Sequence, residues 1–296
     1  MTEENISKLL TNIDSLVSHT YHFQLDISKP EGKSHKGIAI NYTDIQERKS
    51  DFIRELRNTV CGWVYGKKKY HQLFQKELEK RGYDYQNASS HIDNLAREKF
   101  RKGIPQGQFG ELLLFNFLQF FFGAPALLRK MPLTTSRGHE RFGADAIHFK
   151  KQDGQNIIYI GESKTYKSIY KFNTALKDSI DSILNTFSSL QDELLLYTYD
   201  DFMDPSLQEV AESYKEGGLA NVKHELVCLI SYNENNSPSA STEQEIKENI
   251  KNIVLDRLTS SPDELTSGIG KPILNRIHYI IFPCWEMDSL LDGFDA

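Results

Sequence analysis

The sequence has little cysteine and no long apolar run. Its three cysteines, Cys61, Cys228 and Cys284, lie in apolar surroundings without the spacing of metal ligands, which indicates reduced core thiols. The longest apolar stretches, LLLFNFLQFFFG and IHYIIFPCW, are too short to span a bilayer. The acidic N-terminal stretch lacks the basic segment of a signal peptide. We therefore expect a cytoplasmic protein with no membrane partner.

An excess of basic charge is also missing. The chain has 35 Lys and Arg against 41 Asp and Glu, a net charge of −6. Binding to any nucleic acid sequence depends on Lys and Arg at phosphates, so this balance predicts weak DNA binding by the chain alone. The central stretch reverses the balance and predicts a phosphate-facing surface. Its basic residues are Arg129, Lys130, Arg137, Arg141, Lys150, Lys151, Lys164, Lys167 and Lys171.

Two strand-like runs, RFGADAIHF and NIIYIGESKTY, carry acids at one end. The polar stretch between them contains Asp153-Gly154, which predicts a β-hairpin. Because side chains alternate along a strand, Glu162 and Lys164 share a face, and the hairpin brings Asp145 opposite them. Two carboxylates this close call for a divalent cation, and paired carboxylates are typical Mg²⁺ ligands. The pattern predicts metal-assisted hydrolysis of a phosphodiester.

The Glu-x-Lys triplet alone is common in this chain. It also occurs at residues 31–33, 47–49 and 245–247, in a loop-like run and in two charged, helix-like segments. Only Glu162-Ser163-Lys164 ends an apolar strand and has an acid on a preceding strand. The strand context therefore carries the prediction, and the triplet does not.

Glu111 is a further candidate acid. It lies in IPQGQFGELLLFNFLQFFFG, a predicted helix with Gly103 and Pro105 near its start and Gly123 and Pro125 near its end. A helix that is apolar nearly all round is buried, and a carboxylate there needs a partner. Alternatively, Glu111 lies in an exposed first turn, where the helix dipole favours it.

These residues together resemble a known superfamily. A helix Glu, then Gly-Ala-Asp, then Gly-Glu-Ser-Lys is similar to the PD-(D/E)xK nucleases, with Ala144 in place of the usual proline. Over about residues 100–175 the string GELLLFNFL…RFGADAIHF…IYIGESKTYKS resembles the HamA family, the nuclease subunits of Hachiman anti-phage defence systems. The resemblance implies a restriction-endonuclease-like α/β fold, with a mixed sheet flanked by helices.

The resemblance also implies roles for the site residues. Asp145, Glu162 and the main-chain carbonyl of Ser163 would bind Mg²⁺ or Mn²⁺. Lys164 would orient the attacking water or stabilise the transition state. Glu111 would bind water or a second metal ion. The implied partners are DNA and a superfamily 2 helicase of the HamB type.

Candidate substrate contacts flank this set. Arg141, Lys167 and Lys171 are the basic residues that we expect to touch nucleic acid. His148 is expected to be a packed or surface residue, because Lys164 already supplies the cationic group.

The remainder of the chain predicts two regions. Residues 1–100 read as an N-terminal α+β extension packed on the core, and residues 101–296 as the nuclease core. HELVCLISY and RIHYIIFPCWE are continuous apolar runs, which predict interior strands of a sheet covered on both faces. The acidic tail MDSLLDGFDA, with Leu290, Leu291 and Phe294, is expected to fray, or alternatively to dock on a partner.

Two other functions remain open at this point. The chain could be a regulatory subunit that holds a helicase on a nuclease-like scaffold without cutting. It could also be a stand-alone restriction or repair nuclease with its own specificity.

Overall fold

Strands and helices follow one another in groups along the chain. The computed structural model describes residues 2–99, 106–129, 143–168, 171–190, 206–238 and 240–295. The strands are β1 (Thr20–Leu25), β2 (Ser34–Ile40), β3 (Tyr42–Thr43), β4 (Gln46–Glu47), β5 (Ala126–Leu128), β6 (Ala146–Gln152), β7 (Gln155–Tyr166), β8 (Val222–Asn233) and β9 (Ile277–Cys284). The α-helices are α1 (Glu3–Ser7), α2 (Asp14–Ser18), α3 (Lys49–Asn58), α4 (Val60–Lys80), α5 (Tyr85–Arg97), α6 (Gln106–Phe122), α7 (Phe172–Ser188), α8 (Gln208–Lys215), α9 (Glu243–Thr259), α10 (Lys271–Leu274) and α11 (Met287–Asp295).

A seven-stranded mixed sheet is the centre of this arrangement. Its strand order is β1-β2-β9-β8-β7-β6-β5. The inner strands β2, β9, β8 and β7 are parallel to one another, whereas β1, β6 and β5 pair antiparallel. The predicted α/β fold with a mixed sheet flanked by helices is confirmed. Strands β1 and β2 extend this sheet at one edge, and the division at residue 100 stays a prediction.

Helices cover both faces of the sheet. One apolar core joins α3, α6 and α11 to side chains such as Val227 and Phe282. A second core on the other face joins α7, α8 and the end of α9 to side chains such as Ile160 and Ile230. The apolar strands β8 and β9 are buried along nearly their whole length, as predicted for interior strands. No helix in the described part of the chain is long and apolar enough to cross a membrane.

The predicted hairpin is present as β6 and β7. Gln152 pairs with Gln155, and the two turn residues, Asp153 and Gly154, have φ of 51° and 74°. Two consecutive positive φ values are the signature of the type I′ turn that Asp-Gly favours. The register pairs Ala146 with Gly161 at the far end of the hairpin. The next position therefore sets Asp145 beside Glu162.

The C-terminal tail corrects an expectation. We expected it to fray, but α11 forms there and buries Met287, Leu290, Leu291 and Phe294 in the core next to α3 and α6. The four apolar side chains recur at helical spacing, so one face of a short helix gains more from burial than the tail loses in chain entropy.

Candidate active site

Glu162 is a buried carboxylate on the sheet. Only 3% of its surface is exposed, and β7 turns its side chain toward α7. The hydroxyl of Ser182 donates to its Oε2 atom at 2.9 Å, and the hydroxyl of Thr186 donates to Oε1 at 3.0 Å. Ser182 and Thr186 are four residues apart and therefore share one face of the helix. Both carboxylate oxygens are held in a fixed orientation.

Asp145 lies one residue before β6 and is held by β7. Its Oδ2 atom accepts a hydrogen bond from the main-chain N–H of Ser163 at 2.8 Å and another from the Ser163 hydroxyl at 3.0 Å. Its own N–H donates to the carbonyl of Gly161 at 3.0 Å. These bonds position the Asp145 carboxylate next to the Glu162 position, as the hairpin prediction required.

Lys164 completes the group. Its Nζ atom lies 3.8 Å from Oε2 of Glu162 and 3.5 Å from the hydroxyl of Ser182. About 30% of the side chain remains exposed, so the ammonium group lies between the buried carboxylate and solvent. The pair is too long for a hydrogen bond between Lys164 and Glu162, which leaves the ammonium able to serve another anion.

The surroundings of Glu162 disfavour its charged form. Burial and then the neighbouring charge of Asp145 raise the pKa of Glu162 to about 7. Lys164 and the hydrogen bonds from Ser182 and Thr186 lower this pKa without cancelling the rise. The site without a cation therefore favours the protonated form of Glu162, and a cation placed between the two acids would favour its ionised form.

Helix α6 packs on the opposite face of the sheet. A side chain on Gly110 would meet the Thr165 hydroxyl at 2.6 Å and the Ser163 hydroxyl at 3.1 Å, so helix and strand touch closely here. Glu111 follows directly and is partly buried in the second turn of α6.

The acids do not form a three-membered metal cluster. No group of three or more His, Cys, Asp or Glu side chains within the described ranges is arranged to hold a metal ion. The structure brings Asp145, Glu162 and Lys164 together, and Glu111 lies on α6, the helix that packs against β7.

A family model described as HamA matches residues 14–296, nearly the whole chain. The chain belongs to the HamA family. This membership supports a role in Hachiman defence. No curated protein matches the chain.

The candidate nucleic-acid contacts of this HamA-family chain differ in their ion pairing. Lys171 is exposed at the position before α7. Lys167 is also exposed, and its Nζ atom forms an ion pair with Asp288 of α11 at 2.6 Å. Arg141 lies outside the described residues. The two described lysines flank the exit of β7 toward α7, beyond Lys164.

Arg129 does not belong to the predicted phosphate-facing surface. It is buried, and its guanidinium donates to the main-chain carbonyls of Gly62 and Trp63 at 2.7 and 3.0 Å. The guanidinium carbon also lies 5.4 Å from the centre of the Phe115 ring of α6. These carbonyls stabilise the buried charge, so the assignment of Arg129 to a surface was wrong.

His148 packs inside the HamA-family chain, as expected. One ring nitrogen is 2.7 Å from the carbonyl of Ala124, and burial lowers the pKa of His148 to about 3. The ring also meets Phe115 edge-on. It is a neutral core residue.

Sequence reasoning missed the two hydroxyls that hold Glu162. Ser182 and Thr186 interrupt the apolar stripe of α7 at a spacing of four residues. That polar pair on the inner face of a helix is the signal that could have identified them, since a buried hydroxyl needs a partner.

Proposed function

We propose that the chain is a nuclease that uses Mg²⁺ or Mn²⁺ to hydrolyse phosphodiester bonds in DNA. The observation that carries the proposal is the buried Glu162 carboxylate, whose pKa is raised to about 7 beside Asp145, with the Lys164 ammonium 3.8 Å away. Perturbed carboxylates beside a cationic side chain are typical of catalytic sites.

The donor set suits a divalent metal ion. Asp145 and Glu162 would bind it, together with the main-chain carbonyl of Ser163, and all three atoms are the hard oxygen donors that Mg²⁺ and Mn²⁺ prefer. The raised pKa of Glu162 supports this fit, because burial first and the charge of Asp145 second make its ionised form unfavourable without a cation. When bound, the ion would neutralise charge on the scissile phosphate and lower the pKa of a water molecule.

The side chains around the acids keep the site in order. Ser182 and Thr186 orient Glu162, while the hydroxyl and N–H of Ser163 orient Asp145. Lys164 would stabilise the negative charge that develops on the phosphate or orient the attacking water. Glu111 would act from α6 by binding a water molecule at the edge of the site.

A helicase partner would deliver the substrate. The chain is acidic overall, with a net charge of −6, so it has little general attraction for duplex DNA. The family's link to Hachiman defence supports an effector role in such a complex, with a superfamily 2 helicase. We expect Arg141, Lys167 and Lys171 to guide the strand toward Lys164.

A non-cutting scaffold is the second candidate. It is favoured by one observation: Ser182 and Thr186 already satisfy both oxygens of Glu162 without a metal ion. In that case the acids would be a structural remnant, and the chain would serve only to hold the helicase.

The deciding experiment is plasmid degradation by the reconstituted complex. We expect DNA loss with Mg²⁺, the helicase and ATP, and a loss of at least 100-fold in rate for Glu162→Ala and Lys164→Ala, as for other removed electrostatic groups. Replacing Mg²⁺ by EDTA should have the same effect.

Charged residues of α9, outside the site, provide the controls. Glu248→Ala and Lys247→Ala remove the same residue types outside the site and should cut DNA at the wild-type rate. Unchanged cleavage by Glu162→Ala and Lys164→Ala would rule out this active site and favour the scaffold.

A further inference from the structure

Helices α4 and α5 form an arm that leaves the body of the protein at Gly66. Before this glycine, Trp63 and Val64 are buried in the core with α6. At Gly66 the backbone adopts φ 67° and ψ 164°, which breaks the helix. The second part of α4 then runs outward and α5 returns, so the arm comprises residues 67–97.

The arm has a small apolar interior of its own. Leu78 of α4 and Ala88 and Ile92 of α5 are buried, and Ala96 joins the main core at the base. Asp84 caps α5 by accepting the N–H of Asn87 at 2.9 Å. These contacts give the arm a defined shape and hold its tip in place.

A strained tyrosine stands at the tip. Tyr83 has φ 67°, in the left-handed region that suits Gly or Asn, and its N–H closes α4 by donating to the carbonyl of Leu78 at 2.9 Å. Its side chain is 66% exposed, and that of Tyr85 is 65% exposed. Packing within the chain returns little for either ring, and a strained residue of this kind indicates function.

Further rings continue from the tip along the arm. Tyr85 lies 6.2 Å from Phe74 between ring centroids, and Phe74 lies 6.2 Å from Tyr70 with the two planes nearly parallel at 12°. Tyr70 and Phe74 are four residues apart and occupy the same side of α4. The arm therefore presents a row of three rings, Tyr70, Phe74 and Tyr85, and carries the exposed ring of Tyr83 at its tip.

Basic residues accompany this row. Residues 67–81 contain six Lys or Arg and two Glu, in a chain whose net charge is −6. Lys67 and Lys68 are exposed near the base, and Lys76 and Lys80 are exposed nearer the tip. Positive charge beside exposed rings suits a ligand that carries many negative charges and also has planar groups to stack on those rings.

We propose that this arm binds single-stranded nucleic acid. Bases stack on Tyr83, Tyr85 and the rings behind them, and Lys68 and Lys76 contact the phosphates, as in proteins that bind single strands without sequence preference. The proposal rests on the proposed nuclease function for its choice of substrate, because a helicase partner would produce such a strand. Lysines beside exposed rings favour a nucleic acid, because its phosphates and its bases together match both features.

Binding of a fluorescent oligothymidine to the full-length chain tests the proposal. The measurement uses the Glu162→Ala background in EDTA, so that the strand stays intact. Tyr83→Asn combined with Tyr85→Ala should weaken the affinity about tenfold or more, because each stacked base contributes strongly to binding. Asn suits the left-handed backbone, so Tyr83→Asn removes the ring without adding strain.

Two further variants separate stacking from charge. Tyr83→Trp keeps an aromatic face and should bind like the parent chain. Lys68→Ala combined with Lys76→Ala should reduce the slope of log affinity against log salt concentration by about 0.7 for each lost phosphate contact. Ile45→Ala and Lys271→Ala alter exposed residues elsewhere and should leave binding unchanged.

The controls also define what would overturn the proposal. Absence of oligothymidine binding by the parent chain would do so, as would equal affinity of the Tyr83→Asn, Tyr85→Ala chain with an unchanged thermal unfolding curve. Loss of helicase binding alone in that variant would assign the arm to a protein partner. Arm binding without any cleavage by the wild-type complex would count against the proposed function and leave the arm proposal standing.

Discussion

At the scale of single residues, Glu162 is the least favourable charge of the site. A buried carboxylate costs free energy when ionised, and Asp145 adds repulsion to that cost. Ser182, Thr186 and Lys164 offset only part of it. A divalent cation between Glu162 and Asp145 would offset this cost. The stability of the folded chain is therefore expected to depend on the same carboxylates as the proposed chemistry.

Glu162→Gln should stabilise the metal-free chain at alkaline pH. The pKa of Glu162 is about 7 in the folded chain against 4.5 for the free side chain, so the folded state holds the proton more tightly. Wild-type stability therefore falls as pH rises from about 4.5 to about 7. Gln mimics the protonated form and avoids this loss, which is about 3 kcal/mol at most.

Urea unfolding in EDTA at pH 5 and pH 8 measures this difference. The two chains should be nearly equal at pH 5, and Glu162→Gln should be the more stable at pH 8. The opposite result would be a free energy of unfolding of Glu162→Gln that, compared with the wild type, is lower at pH 8 than at pH 5. That result would show that the fold itself stabilises Glu162 as an anion.

The main site residues were predictable because strand geometry is periodic. The Asp-Gly turn fixes the register of the hairpin, and alternation then sets Asp145, Glu162 and Lys164 on one face. Ser182 and Thr186 come from another helix, so only the tertiary fold could pair them with Glu162. Arg129 shows the reverse error, since local charge does not reveal that a guanidinium is buried.

At the scale of elements, the close approach of α6 to β7 supports the site from behind. Gly110 lies against Ser163, and the Ser163 hydroxyl donates to Asp145. The side chain of Gln106 also donates to the main-chain carbonyl of Thr165. Any shift of this helix would therefore reach the Asp145 carboxylate through one hydrogen bond.

Gly110→Ala should reduce cleavage more than stability. The new methyl group would stand 2.6 Å from the Thr165 hydroxyl and 3.1 Å from the Ser163 hydroxyl, and displacing Ser163 would misplace Asp145. We expect a loss of roughly 10- to 100-fold in rate, the usual effect of a small misplacement. The rate of plasmid cleavage and the thermal unfolding midpoint together measure it.

Gly107→Ala is the matched control on the same helix. Nothing lies within 4 Å of a methyl group added at Gly107, so the substitution should raise helix stability by up to about 1 kcal/mol and leave cleavage unchanged. Equal cleavage by both variants would show that the contact between α6 and Ser163 does not support the site.

The elements themselves were predicted unevenly. Continuous apolar runs predicted strands β8 and β9. Gly123 predicted the end of α6, and in the structure this glycine adopts φ 62°. The tail was misjudged, because its helix is stabilised by burial against α3 and α6 and not by its own acidic sequence.

At the scale of the whole molecule, a buried ion network joins the N-terminal region to the sheet. Glu225 of β8 is 1% exposed and accepts hydrogen bonds from Lys33, Lys223 and His278. Burial alone would raise its pKa, but these three partners lower it to about 2. Lys33 precedes β2, so the network fastens the edge strands to the inner ones.

Charge is unevenly distributed over the molecule. The chain carries a net charge of −6, while the arm of α4 and α5 is locally basic. Sequence alone predicted the weak autonomous binding of duplex DNA, but it could not reveal the arm, because the exposure of Tyr83 and Tyr85 is a property of the folded chain. Substrate would thus reach the site as a single strand made by the partner.

Metal binding by the intact chain tests the active-site assignment most directly, because it requires neither partner nor trigger. In a calorimetric titration with Mn²⁺, the wild-type chain should show a binding isotherm that Glu162→Gln loses and that Lys247→Ala keeps. Identical isotherms for wild type and Glu162→Gln, or no binding by the wild type, would contradict the assignment of Asp145 and Glu162 to a metal-dependent nuclease.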